Sequence, residues 1–450
     1  MGFFNFFNQN NQPPEKPSLA AEELKQAEEK YEAGDYQAAL QALEEGFHKD
    51  IENQELYKLA TDCLNALGGQ DEADLFRKAL MAFENWEVFK EIGSHFYYTG
   101  HYYLARPFLH KALDMNPESV EAAHDLAVCY ARRFQIEKAI EVLDKVNVAE
   151  YFWAYWFFAR LMLLNATPDK ALPYILEMEK YAAEYADDPN WTTAALKVKE
   201  LREFHTRLGQ LPNPNKESIR EWHFVQYGGI ILDLFDLAED YVAGGRYVAL
   251  MGTESSIKAI IIKLQKALEV LDLHVKRVVA MPNQQSEVIG RVIAKLLGLS
   301  FAPYAEGRST EGCLVVAANT SDFNGMGEIA HTLPNQLLFA LNHDWLAGSH
   351  MVPDIVGMMT QSFYWPWSPE DGRKVEYKIP NENEPDEPQA PRDIPTIVQA
   401  ILETEPENKE LDMSLYLTHK AYLQAGGTYR SEYRYNFMIE SPVVGSFFGR

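Results

Sequence analysis

The stretch Val88–Pro117, VFKEIGSHFYYTGHYYLARPFLHKALDMNP, decides the fold predicted for the first half of the chain, because its pattern returns about 34 residues later. The pattern consists of large and small residues at fixed positions. These are Phe89, Ile92, Gly93, Phe96, Gly100, Ala105, Leu109, Ala112 and Pro117. The next copy has Ala123, Leu126, Ala127, Tyr130, Ala139 and Leu143, with Phe134 in place of the turn glycine. Such a period predicts helix pairs that stack into a solenoid, since small residues let helices cross closely and large ones fill the next groove.

Weaker copies flank these two units. The earlier ones are marked by Gly34-Asp35-Tyr36 with Ala39 and Leu43, and by Gly68-Gly69 with Ala73, Phe76 and Ala79. After the two clear units, Trp153–Ala171 is predicted to form further, aromatic-rich helices, and Glu200–Leu208 is predicted to form the last helix of the repeat domain. We therefore predict about five helix pairs in a repeat domain over residues 18–210, preceded by a flexible segment over residues 1–17. The aromatic residues 151–153 and 155–158 are predicted to pack, because a helix that is hydrophobic all round is usually buried.

The repeated pattern resembles the tetratricopeptide repeat, whose helix pairs curve into a superhelix with a concave groove. The resemblance implies a protein or peptide partner in that groove. Carrying the repeat register over gives the candidate groove residues Glu87, Lys90, Ser94, Tyr97 and Tyr98 in one unit, and Glu121, His124, Val128 and Arg132 in the next. Family members that bind chaperone tails hold a terminal carboxylate with a Lys, Asn and Arg clamp at such positions. Ser94 and Val128 depart from that clamp, so a chaperone tail is not the predicted partner.

A cluster of helix breakers, Leu211-Pro212-Asn213-Pro214-Asn215-Lys216, predicts a domain boundary near residue 213. Beyond it, β-branched runs alternate with helical patterns. The predicted strands are Arg246–Met251, Val275–Met281 and Cys313–Ala317, and the predicted helices are Ser256–Leu271 and Ser286–Leu297, with Ser286 as cap and Gly298 as stop. The predicted fold class is an N-terminal α-solenoid followed by an α/β domain over residues 218–450 with a mostly parallel sheet.

In such sheets, ligands bind where the strands end, so the loops after two predicted strands are candidates. Their polar residues are Asn283, Gln284, Gln285 and Ser286 in the first loop, and Asn319, Thr320, Ser321 and Asp322 in the second. The first loop leads into a helix whose free N–H groups could face an anion. These eight residues are the candidate site for a phosphorylated small molecule.

The run Val278–Pro282, the helix that follows it, Phe301–Tyr304 and Cys313–Thr320 together resemble type I phosphoribosyltransferases over residues 275–325. In that family a glycine-rich first turn binds pyrophosphate, and two acidic residues before a Thr-Thr-Gly turn hold the ribose phosphate. Here Asn283, Gln284 and Gln285 replace the glycines, while Ala318 and Asn319 replace the acidic pair. The resemblance therefore implies a degenerate copy that retains the fold without the transferase chemistry. An unrelated Rossmann-like sheet is the alternative.

Composition limits the function further. The formal net charge is −25, which repels a phosphate backbone, so no nucleic-acid partner is expected. Three well-separated cysteines form neither a disulfide framework nor a metal knuckle, which favours a reducing cytoplasm. The longest apolar stretch, Tyr151–Leu164, contains Arg160 and is too short to span a membrane. The N-terminus shows no export or lipidation signal, and no membrane partner is expected.

Two further features complete the prediction. The residues His343, Asp344, His350 and Asp354 lack metal-ligand spacing, so no metal and no cofactor are expected. Residues 365–395 are rich in proline and acidic side chains and are predicted as a surface loop. Alternate aromatic and apolar residues at 429–439 are typical of a half-buried strand that returns to the sheet.

The sequence thus predicts a cytoplasmic adaptor that binds a protein through its repeat groove, with a non-catalytic α/β domain and no catalytic residues. The alternative is an enzyme or sensor that binds a phosphorylated, nucleotide-like ligand at the 282–286 and 319–322 loops.

Overall fold

The computed structural model describes residues 18–215, 218–234, 249–344, 349–368, 392–407 and 410–437. Close packing of the backbone divides the chain into two compact units. The first comprises residues 18–133 and 137–154 of the described chain, and the second comprises residues 134–136 and the described residues from Tyr155 onward.

The first unit is built from helix pairs that follow the predicted period. The helices are α1 Ala21–Glu32, α2 Tyr36–Lys49, α3 Gln54–Leu67, α4 Gln70–Met81, α5 Trp86–Tyr98, α6 Tyr102–Met115, α7 Val120–Ala131 and α8 Ile136–Leu143. Within it α1 packs on α2, α3 on α4 and α5 on α6. The structure therefore confirms a series of helical repeats in this part of the chain.

The signature residues of the repeat occupy the positions that the pattern requires. A Cβ on Gly93 would lie 2.6 Å from Leu109 Cγ, so only glycine lets α5 and α6 approach so closely. Gly34, Gly68 and Gly100 end their helices with positive φ. Phe134, in the glycine's place in the next unit, also has a positive φ of 59°. The turn geometry is thus kept without a glycine, at a cost in backbone strain of about 1–2 kcal/mol.

Four further helices precede the sheet: α9 Phe152–Leu164, α10 Pro168–Glu184, α11 Thr192–Gln210 and α12 Ile219–Tyr227. Helix α11 contains the predicted last helix of the repeat domain and stops at the breaker cluster, as expected. In the aromatic run, Trp156, Phe157 and Phe158 are buried as predicted, whereas Trp153 is 36% exposed. The packing prediction was therefore wrong for Trp153.

Burial of charged side chains explains why these helices belong to the second unit. Arg160 of α9 is fully buried and donates to Glu200 Oε1 at 3.2 Å and to Gln226 Oε1 at 3.1 Å. Arg207 of α11, also fully buried, donates to the Gln226 carbonyl at 3.2 Å. Buried charges need such partners, and these bonds join α9, α11 and α12. The units consequently divide near residue 154, whereas the breaker cluster predicts a boundary near 213; how far the repeats continue past Ala154 stays a prediction.

The second unit contains a six-stranded parallel sheet. Its strands are β1 Ile230–Ile231, β3 Arg277–Ala280, β4 Ser300–Pro303, β5 Cys313–Asn319, β6 Leu337–Asp344 and β7 Ile355–Thr360, in the order β1-β7-β6-β5-β3-β4. A separate parallel pair is formed by β2 Ala249–Met251 and β8 Ser362–Tyr364. The helices of this part are α13 Glu254–Val270, α14 Gln284–Leu297, α15 Ile394–Glu403 and α16 Ser414–Thr418. The mixed class with a parallel sheet is thereby confirmed.

The two strands that carry the candidate loops are neighbours. Strand β3 pairs with β5 in parallel, and Val278 lies opposite Leu314. Helix α14 begins two residues before the predicted cap: the Asn283 side chain, rather than that of Ser286, accepts the capping bond, from the Ser286 N–H at 2.8 Å. Gly298 ends this helix with φ 65°, as predicted.

The last part of the described chain differs from its prediction. Residues 429–437 form no strand; they contact the sheet unit through isolated bridges of Tyr433 with His331 and of Phe437 with Ser349. Ile439, the segment 1–17 and most of the acidic loop lie outside the described residues. The described start of that loop is not a surface excursion, since Trp365 and Trp367 are buried.

Candidate functional site

The predicted groove residues lie on two neighbouring helices, α5 and α7, and we name this surface the α5–α7 face. It consists of Glu87, Lys90, Ser94, Tyr97 and Tyr98 of α5, Glu121, His124 and Asp125 of α7, and Arg132 directly after α7. Side chains of Asn85 and Ser119 cap the two helices at their N-termini. The caps fix the residue at which each helix starts. They thereby also determine which residues of the helix point to this face.

Two polar contacts link the helices across the face. Lys90 Nζ donates to Glu121 Oε2 at 2.6 Å, and Ser94 Oγ donates to Asp125 Oδ2 at 2.6 Å. His124 Nδ1 lies 3.3 Å from Asp125 Oδ1. Glu121 keeps 65% of its side chain exposed, so the Lys90 pair is open to solvent and contributes about 0–1 kcal/mol to stability.

Tyrosine side chains form the apolar part of the face. The rings of Tyr97 and Tyr98 lie 4.8 Å apart, and Tyr98 is 79% exposed. The Arg132 guanidinium lies 5.9 Å from the centre of the Tyr102 ring. Burial, reinforced by the Asp125 carboxylate, raises the pKa of Tyr97, so its hydroxyl stays protonated. The face thus combines exposed aromatic area with donors and acceptors, which is the combination that binding surfaces use.

The structure adds two residues to this face and removes one. Asp125 is 7% exposed, and Tyr151 lies edge-on to the His124 ring with centroids 5.7 Å apart. The sequence signal for Asp125 was its place beside His124 in the repeat register. Val128 is buried and offers a partner little surface. Glu87 lies in the first turn of α5.

The second candidate site, formed by the two loops after β3 and β5, is also brought together. Ser286 Oγ donates to Asp322 Oδ2 at 2.9 Å, and the Ala318 N–H donates to Ser286 Oγ at 2.8 Å. The same Asp322 oxygen accepts from the N–H of Asn319 at 3.0 Å. Two backbone N–H groups at the end of β5 are therefore bonded to the chain's own carboxylate.

The remaining polar groups here continue the network along the strand ends. Thr320 Oγ1 lies 2.6 Å from His343 Nδ1, and Asn342 Nδ2 donates to Asn319 Oδ1 at 3.1 Å. Thr360 Oγ1 donates to Asn342 Oδ1 at 3.0 Å. Of the other predicted residues, Gln284 and Gln285 start α14 and Ser321 lies in a 3₁₀ turn. The loops converge, as a binding site would require, yet their inner groups are bonded to each other.

Two of the residues considered for a metal, His343 and Asp354, are fully buried. Asp354 is fully buried and accepts two bonds from Arg434. Burial lowers the pKa of His223 and of His343 to about 3, so both are neutral near pH 7. Over the described ranges, no group of three or more His, Cys, Asp or Glu side chains is placed to hold a metal ion. Among the helices of these ranges, none is long and apolar enough to cross a membrane.

Comparison with known proteins bears on the helical unit. Residues 99–156 match the family model described as tetratricopeptide repeat, so this part of the chain contains such a repeat. The match covers all of α6, α7 and α8 and the start of α9, and it includes Glu121, His124 and Arg132 of the α5–α7 face. No curated protein sequence matches the chain significantly.

Several solved structures are similar to the chain. A crystal structure of MamA is 21% identical, covers 35% of this chain and 97% of its own, and has a TM-score of 0.24. A thermophilic TPR protein of Thermus thermophilus is 16% identical over 40% of this chain and 98% of its own, with a TM-score of 0.24. YrrB, a TPR protein with an unusual peptide-binding site, is 22% identical, covers 41% of this chain and 94% of its own, and has a TM-score of 0.24. With TM-scores this low, these likenesses do not define a binding site in this chain.

Proposed function

We propose that the chain is a cytoplasmic adaptor that binds an extended segment of a protein partner on the α5–α7 face. The observation that supports this most is the arrangement of the face itself. Tyr98 is exposed beside Tyr97, and a row of polar groups linked between Lys90 and Glu121 and between Ser94 and Asp125 lies next to it. A tyrosine with large exposed area and little conformational freedom is a typical anchor of protein interfaces.

We propose further that the sheet unit, degenerate with respect to the transferases it resembles, transfers no phosphoribosyl group. The Asp322 carboxylate accepts the N–H groups of residues 318 and 319, the positions at which the transferases have their acidic pair. A phosphorylated ligand would have to displace a carboxylate that is already bonded to three donors, including Ser286. This supports the adaptor over the nucleotide-binding alternative.

Binding is tested with a displayed library of random peptides selected on the full-length chain. We expect selected peptides to lose about 30-fold or more in affinity when Tyr98 is replaced by Ala, because truncating an interface anchor removes about 2 kcal/mol or more. Fluorescence polarisation with labelled peptides measures the loss. The matched control is Tyr181→Ala, which removes another exposed tyrosine, 46% exposed, from α10.

An equal loss of affinity for Tyr98→Ala and Tyr181→Ala would mean that the peptides contact exposed aromatic rings nonspecifically. Peptides that bind Tyr98→Ala as tightly as the wild type would place the binding surface elsewhere and contradict the proposal.

A further inference from the structure

An aromatic ring from the end of the described chain packs between α12 and β6, and the space that it occupies is named here the α12–β6 pocket. We define the α12–β6 pocket by His223 and Tyr227 of α12 and His343 of β6. The centre of the Phe437 ring lies 3.9 Å from that of the His343 imidazole, 5.5 Å from the Tyr227 ring and 5.9 Å from the His223 imidazole. Phe437 therefore lies among three rings that each carry a polar atom, although a phenyl group has no hydrogen-bonding group of its own.

One of these polar atoms has no partner. His223 is 3% exposed, and its Nε2 is buried without a hydrogen bond. A buried polar atom without a hydrogen bond destabilises the folded chain, so its persistence calls for an explanation. A Cβ on Gly229 would overlap the imidazole, so a glycine is required next to this atom. The chain thus accommodates an imidazole that makes no internal bond through Nε2.

The pocket lies where parallel α/β sheets bind their ligands, at the carboxyl ends of the strands. His343 is the next-to-last residue of β6, and Thr320, which contacts its Nδ1, directly follows β5. Through Thr320 this location adjoins the Ser286 and Asp322 turn, whose donors are bonded internally.

The segment that carries Phe437 is anchored before the ring. Two contacts hold the chain two or more residues before Phe437. Arg434 is paired with Asp354, and the Val352 N–H donates to the Tyr435 carbonyl at 2.8 Å. The Phe437 N–H donates to the Ser349 carbonyl at 3.0 Å. Release of the ring would break the bond from the Phe437 N–H to Ser349 and would not require the Arg434 anchor to move.

We propose that the α12–β6 pocket is a binding site for a small planar aromatic molecule that bears a hydroxyl or N–H group, and that Phe437 occupies it when this molecule is absent. The ligand's ring takes the place of the phenyl group between the His343 and Tyr227 rings. Its polar group bonds His223 Nε2, and a hydroxyl fits either imidazole tautomer because it can both donate and accept.

Phenol and toluene are the probes, because they share a ring and differ in the hydroxyl group. Titration calorimetry is performed on the full-length wild type, on Phe437→Ala and on Phe437→Ala combined with His223→Phe. We expect Phe437→Ala to bind phenol at least 10-fold more tightly than the wild type, since the internal competitor is gone. We also expect it to prefer phenol over toluene about 10-fold, and the added His223 substitution to abolish that preference.

The matched control is Phe323→Ala, which empties the space of another fully buried phenylalanine in the same unit. An apolar void of this kind binds small aromatic molecules without a preference for the hydroxyl. If Phe437→Ala does not fold, Phe437→Leu opens a smaller space with the same expected order of affinities.

A second readout uses the wild type alone. Excess phenol should accelerate hydrogen exchange of the Phe437 amide, which is bonded to Ser349, while the amide of Val352 stays protected. Equal affinity of Phe437→Ala for the two probes would overturn the proposal, as would a phenol preference that survives loss of His223. Unchanged exchange of the Phe437 amide in saturating phenol would contradict its role as the resident occupant.

Discussion

Replacing Asp354 by Ala is expected to cost the sheet unit about 3–5 kcal/mol of unfolding free energy, because it leaves a buried guanidinium without its counter-charge. Asp354 and Arg434 are both shielded from solvent, with side-chain exposures of 0% and 0%. Arg434 donates to Asp354 Oδ2 at 2.8 Å, and that oxygen also accepts from the Leu338 N–H at 2.7 Å. The pair thus joins the C-terminal segment to the start of β6.

Native-state hydrogen exchange of the β6 and β7 amides measures this loss within the unit that contains the pair. Glu432→Ala serves as control: its partner Lys199 is 3.2 Å away, and both side chains are exposed, at 80% and 40%. Such an exposed pair contributes about 0–1 kcal/mol. A cost below about 1 kcal/mol for Asp354→Ala would contradict the assignment of Arg434 and Asp354 as the anchor of the C-terminal segment.

The second large effect is a loss of stability in mild acid. Burial holds the pKa of both His223 and His343 at about 3, against 6.5 in an unfolded chain. Between those values the unfolded chain binds protons that the folded chain does not, so the stability supported by these two residues falls as the pH drops below 6.5. Two such protons correspond to a slope of about 2.7 kcal/mol per pH unit.

His223→Phe removes one of the two protons and should reduce the slope by about 1.4 kcal/mol per pH unit between pH 6 and 4. Urea unfolding at a series of pH values measures the difference. Met351→Leu, a change of a buried side chain that does not titrate, should shift stability and leave the slope as in the wild type. A slope unaltered by His223→Phe would show that this imidazole is protonated in the folded chain.

Local residue patterns predicted the elements of this chain well. The return of the Val88–Pro117 pattern placed the helix pairs, and even the substitution of Phe134 for a turn glycine kept the left-handed conformation. Short apolar runs followed by polar turns identified the strands β3 and β5. These features depend on contacts between residues close in sequence, which a pattern records directly.

Contacts between distant segments were not predictable in the same way. The pairing of β1 with β7 brings Ile230 next to Ile355, and nothing in either segment specifies the other. The division near Ala154 arises from the buried partners of Arg160 and Arg207, which lie on other elements. The alternate pattern at 429–437 indicated a strand, whereas Arg434 fixes this segment through side-chain bonds instead.

The same distinction applies to the candidate sites. The repeat register placed the predicted groove residues on α5 and α7, because helical spacing determines which side chains share a face, and their role in binding stays a prediction. It did not identify Asp125 as the acceptor for Ser94, which depends on how α5 and α7 pack. Nor could it place Phe437 against His223 and His343, since three separate elements meet there.

Photo-crosslinking from position 98 shows directly whether the α5–α7 face binds the partner segment. A photoreactive phenylalanine analogue is inserted at Tyr98, or in a second chain at Tyr181, and each is irradiated with a peptide selected on the wild type. We expect a crosslinked peptide from position 98 that unlabelled peptide competes away, and none from position 181. Crosslinking from position 181 alone, or from both positions without competition, would contradict it.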